Sequence, residues 1–370
     1  IDYTNGEPSI LLEPQRVNLQ TFSTDLNNAL SIGSPVTITS NVTTSPENLQ
    51  NADKITQTLD ARYQSRFSTI TITAGKTWTR SIFAKKDTGN WMYLQHYDGI
   101  NNKGAYFDLE NGVIGTVKSG VTARMVAYPN GWYRCSVTNT PNASATTERI
   151  QVALVDADNT SANKTGNGTG IFIYGAQLEE GSYATSLIHT SGSAVTRSQD
   201  LLPNPLGANG TPTGNKAVIY LEIASTPTAP LTQKNFVGFV NGTTNQYGLY
   251  HWGSVDNNKF GFNSWNGDAY GITGADYLLN GEFNKIAGLF DFTDFTNNKL
   301  YINGKQQTIS QVRGTTLQRG AAGLGITAPN SDQTPIGNYK SVMMFDQELT
   351  DEELEKLTGY NNHELYMNYY

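Results

Sequence analysis

Two Asn-Gly pairs, each set between short strand-like runs, constrain the fold of this chain more than any other feature. Glu110-Asn111-Gly112 separates Ala105–Leu109 from Val113–Val117, and Asn303-Gly304 follows Lys299–Ile302. Asn and Gly tolerate the positive φ angles of a tight hairpin turn, so both positions predict antiparallel strand pairs. Similar short runs recur along the 370 residues, and few segments have helical signals. We therefore predict an all-β chain.

Composition narrows the possible functions. The chain is 15% charged and 11% aromatic, with a net charge of −7. An acidic chain without a Lys/Arg cluster argues against nucleic acid as a partner.

No apolar run is long enough to span a membrane, and no signal peptide is predicted. Because the chain begins at Ile1 rather than Met, we expect a fragment or a processed product. The single cysteine, Cys135, lies in a strand pattern and is expected to be buried and inert.

The stretch Ile171–Arg197 begins as an apolar run that contains Gly175, a pattern that predicts a buried strand with a bulge or a close backbone approach. A Ser/Thr/Gly-rich segment follows it. GAQLEEGSYATSLIHTSGSAVTR, together with GWYRCSV at Gly131–Val137, resembles a carbohydrate-binding-type β-sandwich module common in bacteriophage tail and head-fibre proteins. The resemblance covers roughly residues 8–200 and implies a two-sheet jelly roll.

The second half carries its own pattern. Asn284–Lys305 reads NKIAGLFDFTDFTNNKLYINGK, and Pro335-Ile336-Gly337-Asn338 follows further on. This layout resembles the laminin-G/pentraxin branch of concanavalin-A-like sandwiches, over about residues 210–360. A short helix is predicted after Thr350, because Thr350 and Glu353 form a capping box and Gly359 provides a stop.

The predicted fold is therefore all-β, with two tandem antiparallel jelly-roll sandwiches and a short C-terminal helix. Residues 1–200 form the carbohydrate-binding-type sandwich and 201–214 a linker, because the Leu-Leu-Pro-Asn-Pro stretch and its Gly-rich continuation suit no regular element. Residues 215–360 form the laminin-G/concanavalin-A-like sandwich. Residues 361–370 form an aromatic tail, which we expect to pack on its own domain or a neighbouring subunit.

Sugar recognition needs flat aromatic faces with amides and carboxylates beside them. Aromatic residues in a sandwich also fill cores, so packing is the alternative for each candidate. The second half is favoured, because its aromatics lie in polar, loop-like segments. The candidates are Tyr250, Trp252, Trp265, Asn266, Asp268 and Tyr270 in the second half, and Trp91 and Tyr93 in the first.

Metal and catalytic candidates are few. Asp156 and Asp158 resemble the start of a calcium loop but lack the spaced Gly and closing Glu of an EF-hand, so calcium competes with a solvated loop. No other cofactor is expected. The E-x-D-x-x-E carboxylates found in hydrolases of the concanavalin-A-like superfamily are missing. Asp108 and Glu110 flank a turn, and Glu179-Glu180 is interpreted as a turn; we predict a protein without catalytic activity.

The resemblance implies a fibre or tail component of a bacteriophage virion, located outside the cell. Its expected partners are host surface polysaccharides or glycans and other virion proteins, and homotrimers are expected. Two alternatives remain open: a secreted bacterial carbohydrate-binding or adhesin module, and a jelly-roll enzyme that degrades polysaccharides.

Overall fold

The architecture comes from a computed structural model of the chain. It describes residues 10–31, 36–100, 102–198, 200, 212–224, 234–241, 245–252, 259–264, 270–276, 283–313, 324–325 and 337–359. Most of the predicted linker and the whole predicted tail, 361–370, lie outside the described residues. Within the described part, no helix is long and apolar enough to cross a membrane.

Two compact units divide the chain. One is Arg16–Arg197, called here the first sandwich; the other combines Ile1–Gln15 with Ser198–Tyr370 and is called the second sandwich. All strand pairs of the named strands are antiparallel, which confirms the predicted fold class.

Chain order begins with strand β1, Ile10–Leu12, which belongs to the second sandwich. The elements of the first sandwich follow: β2 Arg16–Asn18, α1 Leu26–Ala29, β3 Thr37–Thr43, β4 Ala52–Thr56, β5 Ala61–Tyr63, β6 Ser65–Thr71, β7 Trp78–Lys86, β8 Trp91–Tyr97, β9 Asn102–Asp108, β10 Val113–Val117, β11 Thr122–Tyr128, a 3-10 turn Pro129–Gly131, β12 Trp132–Asn139, β13 Thr147–Val155, β14 Asn163–Thr165, β15 Gly170–Glu180 and β16 Val195–Arg197.

The first sandwich stacks two sheets. One has the order β10-β9-β8-β13-β6 and the other β11-β12-β7-β15-β4-β3, with two small ribbons, β14-β5 and β16-β2. Alternate residues of each strand face the core, as the period of 2 predicts. In β8, Met92 and Leu94 lie in the core, whereas Tyr93 belongs to a separate cluster on the outer side. Cys135 is a core residue, and burial raises the pKa of its thiol.

The bulge predicted at Gly175 is present in β15. Gly175 has φ +65°, and the register with β7 shifts between Tyr174 and Gln177. A Cβ at this position would lie 2.9 Å from the Phe83 ring, so glycine suits both the conformation and the space. Its bulge allows β15 to stay paired with β7 on both sides of the shift.

Beyond the bulge, β15 holds the segment that follows it. The side-chain oxygen of Gln177 accepts a hydrogen bond from the Ile188 backbone N–H at 2.7 Å. Glu179 accepts from the backbone and hydroxyl of Thr185 at 2.8 and 2.7 Å, and Asn18 donates to the Ile188 carbonyl at 2.9 Å. These hydrogen bonds explain the Ile171–Arg197 stretch in structural terms, because its strand holds the irregular segment that follows it in place.

The second sandwich continues with β17 Lys216–Ala224, β18 Lys234–Asn241, β19 Asn245–Trp252, β20 Lys259–Ser264, β21 Tyr270–Asp276, β22 Asn284–Asp291, a 3-10 turn Phe295–Asn297, β23 Lys299–Ile302, β24 Lys305–Gln307, β25 Ile309–Arg313, β26 Leu324–Gly325, β27 Gly337–Phe345 and α2 Asp351–Thr358. Its sheets have the orders β1-β27-β17-β22-β23-β24 and β25-β21-β20-β19-β18-β26.

Both predicted hairpins form. Asn303 and Gly304 have φ +49° and +76° and connect β23 to β24, and Gly112, at +67°, connects β9 to β10. The run that follows the second hairpin turn is divided between the two sheets: β24 pairs in one and β25 in the other. Alternation marks both pieces as strand but does not show where the chain changes sheets.

Helix α2 has the predicted N-terminus. The Thr350 hydroxyl accepts from the Glu353 backbone, and Glu353 accepts from the Thr350 backbone, which completes the capping box. Its apolar side packs with Leu349 and Tyr301 in a cluster on the sheet β1-β27-β17-β22-β23-β24. Gly359 follows the last helical residue, but its φ of −70° and ψ of 166° are those of extended backbone, so the helix ends without the left-handed glycine stop.

Strand β1 departs from the predicted domain limits. Ile10, Leu11 and Leu12 pair with Tyr339, Asn338 and Gly337 of β27, and Leu12 is buried in the core of the second sandwich. The prediction that residues 1–200 form the first sandwich is wrong for this strand, although the strand directly precedes that sandwich in sequence. Pairing with β27 instead supplies the edge strand of the second sandwich.

Candidate functional site

The outer face of the sheet β10-β9-β8-β13-β6, on the side away from the core, gathers aromatic and polar residues. Strand register sets them in rows across the sheet. One row contains Thr69 and Arg149, and the Tyr97 ring lies beside Arg149. The next row contains Phe67, Gln151 and Gln95; a third contains Ser65, Ala153, Tyr93 and Tyr106; the last contains Val155, Trp91 and Asp108.

Half of this face is covered. The Tyr93 and Tyr106 rings stack with centroids 4.2 Å apart, and they are 6% and 5% exposed. Ala162 packs against them, and half-buried Tyr63 and Trp91 join the cluster. Burial raises the pKa of the Tyr93 hydroxyl. Of the two first-half candidates, Tyr93 is therefore packed within the protein, and Trp91 packs at the edge of the same cluster.

The other half of the face, defined by Phe67, Gln95, Tyr97, Arg149 and Gln151, is called here the polar half. The Arg149 guanidinium carbon lies 4.4 Å from the centroids of both the Phe67 and Tyr97 rings. Gln95 and Gln151 are buried beside them and are held by the Tyr63 and Ser65 hydroxyls, at 2.8 and 2.9 Å. The predicted candidates did not include Phe67, Arg149 or Gln151.

In the second sandwich, Trp265, Asn266 and Asp268 lie outside the described residues. Tyr250 and Trp252 lie in β19, where the backbone pairs opposite Gly261 and Lys259. Tyr270 begins β21 and pairs opposite Asn263. The expectation that these aromatics occupy loop-like segments is therefore wrong for these three, because antiparallel partners extend the strands through them.

The predicted calcium residues have protein partners. Asp156 forms an ion pair with Lys164. Asp158 accepts hydrogen bonds from the backbone N–H and the hydroxyl of Thr116, at 2.7 and 2.9 Å. Among the residues that the structure describes, no group of three His, Cys, Asp or Glu could hold a metal ion. Calcium binding at Asp156 and Asp158 stays a prediction.

The carboxylates considered for catalysis have partners within the protein. Asp108 accepts hydrogen bonds from the backbone N–H groups of Glu110 and Asn111, so it stabilises the hairpin turn. Glu179 and Glu180 are the last two residues of β15 rather than a turn; Glu179 is buried, and Glu180 is exposed and paired with Lys76 at 3.1 Å. Burial raises the pKa of the Glu179 carboxyl.

The first sandwich also contains a buried charged cluster that was not predicted from the sequence. Arg80 and Glu148 are both fully buried, with 3.5 Å between an Arg80 terminal nitrogen and Glu148 Oε2. The same arginine nitrogen donates to Asn139 at 2.6 Å, and His96 Nδ1 lies 3.4 Å from Glu148 Oε1. Burial lowers the pKa of Arg80 to about 10. Burial alone would raise the pKa of Glu148, but His96 and Arg80 outweigh it and lower that pKa.

A match with known proteins falls in the second sandwich. Residues 224–355 match the Laminin_G_3 family model, described as the concanavalin A-like lectin/glucanases superfamily. The laminin-G resemblance of the second half is thereby confirmed, and the matched segment runs from the end of β17 into α2. No curated protein matches the chain.

Solved structures with similarity to the chain include three sandwich proteins. A heptameric SAP-like pentraxin from Limulus polyphemus is 12% identical over 41% of this chain and 73% of its own, with a TM-score of 0.32. The CBM40 domain of a Ruminococcus gnavus IT-sialidase, bound to α2,6-sialyllactose, is 14% identical over 43% and 92%, with a TM-score of 0.27. Domains LG4-5 of the mouse laminin α1 chain are 11% identical over 82% and 90%, with a TM-score of 0.26.

Proposed function

We propose that the protein is a non-enzymatic adhesion component of a bacteriophage tail or head fibre that binds host surface glycans. The observation that carries glycan binding is the match of residues 224–355 with a lectin superfamily. The fibre assignment is supported by the resemblance of the GAQLEEGSYATSLIHTSGSAVTR stretch to modules of such proteins. In the second sandwich, Tyr250, Trp252, Trp265, Asn266, Asp268 and Tyr270 stay the proposed contact residues.

The first sandwich supports the same function through the polar half of its outer face. Phe67 and Tyr97 are half-buried and therefore still offer aromatic surface to a ligand. Aromatic surface beside a polar group is the combination that sugar rings require, since C–H groups stack on the aromatic ring while hydroxyls or acidic groups form hydrogen bonds. Here the half-buried Arg149 guanidinium is the polar group beside the two rings. Within this sandwich, we propose the polar half as the contact surface. Trp91 lies on the covered half, beyond the row of Tyr93 and Tyr106.

Absence of catalysis is part of the proposal. Glycoside hydrolysis needs two carboxyl groups that converge on one bond. Three described carboxylates instead have structural partners: Asp108 stabilises a turn, Glu179 accepts a hydrogen bond from Thr185, and Glu148 forms an ion pair with Arg80. This use of the carboxylates favours adhesion over the polysaccharide-degrading alternative.

A glycan array tests the function. The full chain, labelled with a fluorophore, is applied to immobilised capsular, O-antigen and wall polysaccharides of bacteria. We expect selective binding to a small set of these glycans at micromolar concentration, because single sites of this kind are weak. If the chain binds none of the polysaccharides, the adhesion function is refuted.

Assembly is a separate expectation. Fibre proteins repeat a weak site by symmetry, so that several sites engage one surface and raise the overall affinity. We propose a homotrimer that joins other virion proteins outside the cell. Light scattering on the full chain is expected to give three times the mass of one chain at micromolar concentration, whereas the mass of a single chain would contradict the trimer.

A further inference from the structure

The guanidinium of Arg149 is held in place but has no acceptor among the described residues. Its backbone N–H donates to Glu148, and its guanidinium carbon lies 4.4 Å from each of two aromatic rings. No described carboxylate forms an ion pair with it. A guanidinium carries five N–H donors, so those of Arg149 are available to an acceptor that a ligand supplies.

Other cations of the first sandwich have such partners. Seven lysines and arginines form ion pairs with described carboxylates: Arg16 with Glu179, Lys54 with Asp87, Arg62 with Asp60, Lys76 with Glu180, Arg80 with Glu148, Lys86 with Glu110, and Lys164 with Asp156. In a chain with a net charge of −7, carboxylates are the more numerous group. Arg149 instead meets two aromatic rings, each with its centroid 4.4 Å from the guanidinium carbon.

The geometry restricts what can bind. Phe67 lies on β6 and Tyr97 on β8, the strands on either side of β13, so the two rings approach Arg149 from both flanks. Rings that stack on a guanidinium occupy its faces and leave its N–H edge available. A planar carboxylate pairs with that edge through two parallel hydrogen bonds, which is the strongest arrangement that an arginine offers.

We propose that Arg149 binds the carboxylate of an acidic sugar, a uronate or a sialate, on the polar half of the outer face. This inference rests on the proposed glycan binding and specifies the class of glycan. Phe67 and Tyr97 hold the guanidinium and offer surface for the sugar ring. The carboxylate of the sugar then determines which glycans bind, whereas the aromatic rings contact sugar rings of any kind.

The test compares acidic glycans with their own neutral derivatives. Oligomers of guluronate, hyaluronan and polysialic acid are used intact and after chemical reduction of their carboxyl groups to alcohols. Binding to the full chain is measured by biolayer interferometry. Arg149→Gln removes the positive charge, and Arg149→Lys keeps the charge but cannot donate two parallel hydrogen bonds to a carboxylate. Arg62→Gln is the matched control, because it removes an exposed, ion-paired arginine of the same sandwich.

At least one acidic oligomer is expected to bind wild type roughly ten- to hundredfold more tightly than its reduced form, as a charge-assisted hydrogen-bonded pair would give. Arg149→Gln should abolish this difference, Arg149→Lys should retain a small part of it, and Arg62→Gln should leave it unchanged. Thermal melting of each variant confirms that the fold is retained.

Two results would overturn the inference, and they are distinguishable. Equal binding of the acidic and reduced forms, or equal effects of Arg149→Gln and Arg62→Gln, refutes the acidic-sugar site and leaves glycan binding in place. Failure of wild type to bind any glycan here or on the bacterial array refutes both.

Discussion

Replacing Glu148 by glutamine is expected to destabilise the first sandwich by about 3–5 kcal/mol, because the change leaves the charge of Arg80 buried without its partner. Both side chains are fully buried, and their closest N–O distance is 3.5 Å. The glutamine keeps the size of the side chain, so the loss reports the charge rather than a cavity. Urea unfolding of the full chain, followed by tryptophan fluorescence, measures it.

The double variant Arg80→Met/Glu148→Gln is the control. Removing both charges should recover most of the loss, because a buried pair replaced by uncharged groups is often neutral in stability. If Glu148→Gln alone costs less than about 1 kcal/mol, the pair lies in a more hydrated place than the structure indicates.

The same pair gives a pH dependence with a definite sign. The folded-state pKa of Glu148 is lowered from 4.5, so its contribution to stability is present above that pH and is lost as the pH falls. The difference between wild type and Glu148→Gln should therefore narrow as the pH drops below about 4.5. A constant difference down to pH 3 would contradict an ionised Glu148.

Replacing Leu12 by alanine is expected to destabilise the second sandwich by about 2–5 kcal/mol, the usual range for a buried leucine. Leu12 is 3% exposed and packs in a core with Leu221, Phe290 and Tyr339, although the first sandwich follows it directly in sequence. The unfolding transition of the second sandwich should shift to lower urea, and that of the first should stay unchanged.

Leu11→Ala is the matched control for Leu12→Ala. Leu11 is the neighbouring leucine of the same three-residue strand, and it is only half-buried, so its loss should cost clearly less. Equal effects of the two variants, or a shift confined to the first sandwich, would show that β1 does not pack where the structure places it.

Local patterns in the sequence predicted the elements whose causes are local. The Asn303-Gly304 turn, the bulge at Gly175 and the capping box of Thr350 each depend on a few adjacent residues. Strand β1 could not be assigned in this way. Its partner Gly337 is at the other end of the chain, and a three-residue apolar run fits either sandwich equally well.

Strand alternation in the sequence contains evidence for the buried pair of Arg80 and Glu148. Glu148 shares its strand face with core residues Ile150 and Val152, and Arg80 shares its face with Ile82. Two opposite charges at core positions of different strands suggest a buried pair. What the sequence could not show is that the strands place these two residues within reach of each other.

The polar half needed strand order as well as alternation. Alternation within one strand places Tyr97 on the same face as Tyr93 and Gln95, but Phe67 and Arg149 lie on strands that are distant in sequence. Only the order β8-β13-β6 sets Arg149 between the two rings. By contrast, Tyr93 is predicted from the sequence as a contact residue, but it packs against Ala162 in the structure. Alternation shows which residues point outward from a sheet, but not which of these a later loop covers.

The central claim is that this protein binds polysaccharide without cleaving it, and one measurement tests both parts. The full chain is incubated with an intact polysaccharide that it recognises on the array, and the mixture is analysed by size-exclusion chromatography with light scattering. We expect protein to co-elute with a polymer whose mass is unchanged after hours of incubation. A polymer that becomes shorter, with new reducing ends or unsaturated uronates that Asp108→Asn or Glu110→Gln abolishes, would contradict the account.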